Sequence, residues 1–513
     1  MVKKLSQFVV HQAEQSPHHT AIGYKKTVIT YGQLRHAMNN FAGFLKGIIA
    51  EGACVGIYLP KTPESVTAIL GTNHASRVFV PINPLLKPQQ VGFIVDNCDM
   101  RVLVSTRERA KRLLSEISLP TLQHVIITDD FEEAIFLDCA LTIHSWSEIH
   151  QKHTRVGAEV DSHCSSTELA ALLYTSGSSG KPKGVMLSNQ NLVVGALSVS
   201  HYLNNTADDR ILAVLPFSFD YGLSQLTTAL AVGASLFLLE YLLPQDVIKA
   251  VNKFEITGLA AVPPLWIKLA NMSWPQVSTL RYWTNSGGAM PETTLRALQT
   301  ILPETTPYLM YGLTEAFRST YLEPSKLATK PDSIGQAIPN ARVSIRRADG
   351  SEADVHETGE LVHEGPLVSM GYWQSPELTQ ERFKPLPGQK TLAVWSGDLA
   401  YRDTEGDLYF VSRKDAMIKT SGYRVSPTEV EEAIFQHAAV QGVVAWGVKD
   451  LSLGQVIWVA VDIQSIEALT QIKQHSLQAL PSYMQPVCWN IVSPMPRNAN
   501  GKLDRQAIIA SFS

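Results

Sequence analysis

Apolar residues recur along this chain in two rhythms, one helical and one alternating, and their succession predicts a layered α/β protein. Phe8, Val9 and Ala13 fall at helical spacing, Thr27-Val-Ile-Thr-Tyr31 alternates as a strand, and a second helix follows through Leu45. Val55-Gly-Ile-Tyr-Leu59 reads as a short buried strand, Pro63 to about Ser76 as a helix, and Val78-Phe-Val-Pro-Ile82 as the next strand. Val102-Leu-Val104 and Val125-Ile-Ile-Thr128 continue a series whose alternation argues a parallel sheet. The region from Asp129 to Ser166 is polar and reads as an irregular surface connection. Beyond it, Asn191 to about Asn204 predicts a helix, and Arg210 to Pro216 and Ile256 to Val262 predict core strands. Leu280 to Met290 predicts a strand that turns through paired glycines. Past Gly335 the texture changes to short strands with turn signals, at Val343–Arg346 and Gly359–His363. Pro427 opens a helix, and Val440–Ala445 and Val456–Val461 read as strands of a small α+β unit.

Composition narrows the classes of function. With 43 basic against 47 acidic residues and no block of like charge, nothing favours a nucleic-acid surface. Five scattered cysteines form no Cys-x-x-Cys pair, so neither a disulfide framework nor a zinc site is expected. Gln7, His11, Gln12 and Glu14 interrupt any signal-peptide core, and no apolar run reaches ~18 residues. The expectation is a cytoplasmic protein without an integral membrane segment. At 513 residues, one large multilayer domain plus a smaller one fits the length.

The densest chemistry lies in Leu172-Leu-Tyr-Thr-Ser-Gly-Ser-Ser-Gly-Lys-Pro-Lys-Gly184. It reads as a strand running into a loop that grips polyphosphate. Gly177, Gly180 and Gly184 allow backbone N–H groups to turn toward an anion; Thr175, Ser176, Ser178 and Ser179 add hydroxyls; Lys181 and Lys183 add positive charge. The P-loop pattern fails, because two residues rather than four separate Gly177 from Gly180, and Pro182 stands where a hydroxyl is required. A flexible Gly/Ser linker is the plain alternative, but the flanking apolar runs argue against it.

This run resembles the signature of the adenylate-forming superfamily, which includes acyl-CoA synthetases, luciferases and amino-acid adenylation domains of nonribosomal peptide synthesis. The resemblance covers nearly the whole chain. It implies a large N-terminal core of α/β subdomains plus a small β-barrel over residues 1–412, a hinge at 413–415 with Asp415 as its pivot, and a mobile α+β lid over 416–513. It implies ATP and magnesium as cofactors, and an acyl-adenylate captured by a phosphopantetheine thiol. No carrier segment follows Arg505, so the acceptor is expected on a separate carrier protein or on CoA.

Residue by residue, the resemblance places Gly287, Gly288 and Ala289 beside the adenine, although a tight turn alone would explain the glycines. Tyr311-Gly312-Leu-Thr314-Glu315 matches Tyr-Gly-x-Thr-Glu, with Thr314 on the α-phosphate and Glu315 on magnesium; a capped helix start is the plain alternative. Asp398 and Arg413 are assigned to the ribose, and Lys502 to catalysis of the first step. At Pro216-Phe-Ser-Phe219-Asp220 the chain departs from acyl-CoA synthetases, which carry histidine at the fourth place, and matches amino-acid adenylating domains. A carboxylate there can hold a substrate ammonium taken out of water, or it can cap the following helix. The same carry-over puts Tyr221, Ser224, Thr284, Ser286, Met310 and Arg318 around the substrate. Tyr221 and Met310 are bulky, favouring a small amino acid, and the loop is similar to that of prolyl-adenylating enzymes. An acyl-CoA ligase for a non-amino acid and a non-catalytic scaffold are the competing readings. Pyrophosphate exchange with amino against fatty and aryl acids separates the first two, and the intact motif set opposes the third.

Overall fold

The computed structural model describes residues 2–130, 141–152, 165–175, 182–275, 279–413, 417–463, 465–496 and 504–512. Two large sheets form the body. The first is a seven-stranded sheet ordered Thr142–Ser145, His124–Ile127, Val102–Ser105, Cys54–Tyr58, Val78–Pro81, Leu169–Thr175, Lys183–Ser188. All neighbours in it are parallel except the last pair. Its central strands read as unbroken apolar runs because both faces are covered. The second sheet has nine strands, with a parallel centre running Thr306–Tyr311, Tyr282–Asn285, Gly258–Ala261, Arg210–Ala213, Ser235–Leu238, Thr20–Tyr24 and antiparallel strands at both edges. Helices start where the sequence supplies caps. Thr30, Thr62 and Ser188 each accept the N–H three residues on, and Pro63 sits in the first turn of its helix.

The stretch 129–166 is less irregular than its polarity suggests. Thr142–Ser145 forms an edge strand and Trp146–Lys152 a helix; the strand is missed in the sequence because its residues are exposed or half-buried, which is what an edge position tolerates. The expected barrel region is a five-stranded antiparallel sheet of Arg342–Arg346, Gly359–Glu364, Leu392–Arg402, Phe383–Pro385 and Leu408–Arg413. The C-terminal part has its own five-stranded sheet and its own apolar clusters, centred on Val440–Asp450 and Gly454–Ile463. No helix among the described residues is long and apolar enough to cross a membrane.

Candidate active site

In open parallel sheets the carboxyl ends of the strands are where ligands can meet backbone groups, and the expected site residues gather there. Asp220 follows Arg210–Ala213, Ser286 follows Tyr282–Asn285, Gly312 and Thr314 follow Thr306–Tyr311, and Thr175 ends its own strand. Gly222 fixes the first of these positions. A Cβ there would lie 2.1 Å from the Pro216 carbonyl oxygen, so only glycine lets the helix Asp220–Val232 start against the strand's exit.

Asp220 does not cap that helix. Phe219 is the N-cap and makes no side-chain cap bond, while Asp220 sits in the first turn, almost completely buried. Its Oδ2 accepts from Arg318 Nη2 at 3.3 Å. Burial pushes the Asp220 carboxyl above its usual range, and the Arg318 charge works against that rise. Arg318 is itself buried and lies 4.7 Å over the Tyr221 ring. Its backbone and that of Phe317 are both left-handed, at φ 101° and 36°, a conformation costly for side chains of this bulk.

Around this pair stand the other expected substrate contacts. The Tyr221 hydroxyl is bonded to Thr284 Oγ1, and Tyr202 Oη lies 2.9 Å from Met310 Sδ. Ser224 follows one turn after Asp220 on the same buried helix, and Ser286 and Arg318 line one cavity with Asp220, Thr314 and Asp398. A second cavity, of about 350 Å³, is walled by Gly287, Gly288, Ala289, Met310, Tyr311 and Gly312. Asp398 closes this region from the antiparallel sheet. It accepts a hydrogen bond from the Tyr311 hydroxyl and pairs across the ladder with Arg413, whose side chain lies outside the described residues. His363, stacked 6.2 Å from Tyr311, is held neutral by burial, which lowers its pKa to about 4.

Glu315 anchors the polar centre. Its Oε1 accepts from Tyr372 Oη at 2.8 Å, Lys183 Nζ lies 3.6 Å away, and the same lysine donates to Tyr372 at 3.0 Å. Burial works to raise the Glu315 pKa, but the Lys183 and Arg424 charges and the Tyr372 bond outweigh it and hold the group at about 2. Its Oε2 is buried and has no hydrogen-bond partner among the described residues. Tyr372 and Arg424 were not singled out in the sequence. Tyr372 comes from a Gly-Tyr-Trp turn with no chemical motif, and Arg424 stands at the end of a stretch legible only as a domain boundary.

The expected phosphate loop is framed by the structure and otherwise outside it. Thr175 pairs directly with Lys183, and the chain returns as the antiparallel strand Lys183–Ser188. That return is the physical reason the P-loop pattern does not apply, since a P-loop runs on into a helix. Ser176, Gly177, Ser178, Ser179, Gly180 and Lys181 lie outside the described residues, as do Asp415 and Lys502. The described flanks of Lys502 are tied to each other and to the C-terminal part: Asp504 N–H donates to the Pro496 carbonyl at 2.9 Å, Arg505 bonds Glu431 of the helix Pro427–Phe435 at 2.6 Å, and its Nη2 donates to the Ala445 carbonyl of the sheet at 3.0 Å.

From the C-terminal part, the hairpin of Ile418–Thr420 and Tyr423–Val425 reaches the site, where Lys419, Gly422 and Arg424 line the cavity with Asp220 and Thr314. Gly422 at its turn, φ 83°, packs so closely that a Cβ would meet Val262 at 2.9 Å. Behind the hairpin, Gln90 Nε2 donates to Glu429 Oε1 at 2.9 Å across the two parts, and Glu429 Oε2 is buried with no partner among the described residues. Burial raises the Glu429 pKa from its ordinary 4.5 to about 7. A carboxyl raised in the packed state favours that state fully below its unperturbed pKa and ceases to do so as pH rises through the raised one. Hydrogen exchange in Pro88–Asn97 and Pro427–Phe435 is therefore expected to accelerate, beyond its intrinsic pH trend, as pH rises from about 5 to 8. Glu429→Gln should flatten that excess, and an unchanged excess in the variant would refute the assignment.

Known proteins share both the sequence and the architecture. Residues 9–373 match the family described as AMP-binding enzyme, and residues 429–502 match the AMP-binding enzyme C-terminal domain. Gramicidin S synthase 2 of Brevibacillus brevis is 28% identical over 514 residues, covering 97% of this chain and 11% of the synthase. The chain thus spans only about a tenth of that protein's length. The long-chain-fatty-acid–CoA ligase of Bacillus subtilis is 24% identical over 542 residues, covering 99% of this chain and 94% of the ligase. The solved o-succinylbenzoate CoA synthetase of Bacillus subtilis shares the fold, with a TM-score of 0.82 at 23% identity over 98% of this chain and 97% of the synthetase.

Proposed function

Because this chain belongs to the AMP-binding enzyme family, the adenylate-forming enzymes, we propose that it uses ATP to activate a small amino acid as an aminoacyl-adenylate and passes it to a phosphopantetheine thiol. In the first step a carboxylate oxygen bonds to the α-phosphorus, the bond to the β-phosphate bridge breaks, and pyrophosphate leaves. In the second, the thiol sulfur bonds to the acyl carbon and AMP leaves. The thiol belongs to a carrier protein.

The observation that carries the amino-acid reading is the buried Asp220 carboxylate on the wall of the cavity that also holds Thr314 and Asp398. An ammonium removed from water needs an anion of this kind. Gly287, Gly288 and Ala289 offer a flat wall to the adenine, Asp398 and Arg413 serve the ribose, and Thr314 donates to the α-phosphate. The residues also fit magnesium. A buried carboxylate oxygen with no partner among the described residues, on a group ionised down to about pH 2, is a hard ligand of the kind that ion takes alongside phosphate oxygens. Bound there, the ion would neutralise charge on the phosphates. Glu315 would hold it, and Lys183 and Tyr372 fix the carboxylate's orientation.

Asp220→Asn is expected to lower kcat/KM for pyrophosphate exchange with the preferred amino acid by ~10²-fold or more, with ATP binding nearly intact, since a buried charge contact of a few kcal/mol is lost. Melting curves separate this from unfolding. A second reading, a CoA ligase for an acid without an amino group, is favoured by the end-to-end match to the fatty-acid–CoA ligase. Wild-type preference for such acids, or full activity in the Asp220 variant, decides for it.

A further inference from the structure

Resting on the reading that this pocket takes an amino acid, we infer that the acid carries a second anionic group beside its ammonium, and that Arg318 is the residue that selects it. The substrate class is a short aminodicarboxylic acid.

The inference starts from a charge conflict. Asp220 is the anion available to an ammonium, yet its Oδ2 already lies 3.3 Å from Arg318 Nη2, with both side chains about 95% or more shielded from solvent. An ammonium brought to Asp220 therefore meets a fixed cation within a few ångströms, in surroundings that screen poorly. A neutral-tailed amino acid such as proline has nothing to offset that repulsion. An acid with a second carboxylate does: its ammonium takes Asp220, its carboxylate takes Arg318, and the ion pair opens around a matching pair of charges.

Two further observations point to a ligand for Arg318. The contact with Asp220 uses a single nitrogen of a planar fork that can donate five hydrogen bonds, and its Nε is buried with no partner among the described residues. The guanidinium is also held in place: it lies over the Tyr221 ring, and its backbone keeps an uncommon left-handed conformation. Placement at this conformational cost is characteristic of groups held for a ligand. Because Asp220 and Arg318 lie 3.3 Å apart, the substrate's two matching charges are joined by a short link.

The test is ATP–pyrophosphate exchange by the wild-type protein with L-aspartate, L-glutamate, L-proline, L-alanine, succinate and hexanoate. Aspartate or glutamate is expected to exceed proline and alanine by ~10²-fold or more in kcat/KM, because a site built for a polar group strongly rejects analogues that lack it. Arg318→Leu should lower the aminodicarboxylate rate, raise the relative rate with alanine, and so invert the ratio; a structural role would depress all substrates together. Arg318→Lys, which keeps the charge, should retain the wild-type order. Preference for proline or alanine overturns the inference and leaves the amino-acid reading standing. Preference for succinate or hexanoate overturns both, and exchange with none of the six acids also counts against the inference.

Discussion

Replacing Glu315 with glutamine is expected to lower adenylate formation by about 10²-fold or more and to raise the magnesium concentration needed for half-maximal rate. The side chain is nearly fully buried, one oxygen is tied to Tyr372 and close to Lys183, and the other is free of partners among the described residues. Glutamine keeps the shape and removes the charge. Lys183 and Arg424 then lose the anion on which both charges act, so a loss of thermal stability accompanies the loss of rate. The two effects part on titration with magnesium, since a purely structural defect lowers the plateau without moving the midpoint. A variant with unaltered magnesium dependence would remove Glu315 from the proposed metal site.

Lys502→Ala is expected to nearly abolish adenylate formation while leaving thiol capture from a supplied adenylate largely unharmed. The first step brings two anions together, the acid carboxylate and the ATP α-phosphate, so a cation there acts where charge accumulates. The second step has no such encounter. In the structure the hairpin with Gly422 and Arg424 lines the site, and Arg505, next to the segment that carries Lys502, is bonded to Glu431 and to the Ala445 carbonyl of the C-terminal part. The two half-reactions would then call on different elements of the C-terminal part. Both half-reactions measured on one preparation decide the matter, and equal loss of both would assign Lys502 a structural role.

The parts of this molecule legible in the sequence are those whose cause is local. Core strands show as apolar runs, caps as Thr30 and Ser188, and the proposed nucleotide side, one cavity wall, as Gly287-Gly288 and Tyr311-Gly312. The loop between Thr175 and Lys183 is recognisable by composition, but its antiparallel return depends on pairing with a strand already placed in the sheet. Asp220 is legible as a buried anion. That Arg318, 98 residues away, already shares its charge is not, because the meeting is made by the fold. For the same reason Tyr372, 57 residues from Glu315, carries no sequence mark of its contact.

The ladder between Leu392–Arg402 and Leu408–Arg413 has a mechanical consequence. From Asp398 to Arg402 the strand bearing Asp398 is clasped by the last strand before the chain passes into the C-terminal sheet, and the clasp ends at the pairing of Asp398 with Arg413. Torque from a turning C-terminal sheet would therefore arrive at the tip of a braced lever, where a ladder resists shear far better than it resists fraying. The load would peel the last rung, at Arg413, before it could tilt the strand that holds Asp398, the carboxylate proposed for the ribose. Such a joint would let one part swing while the proposed nucleotide pocket keeps its shape.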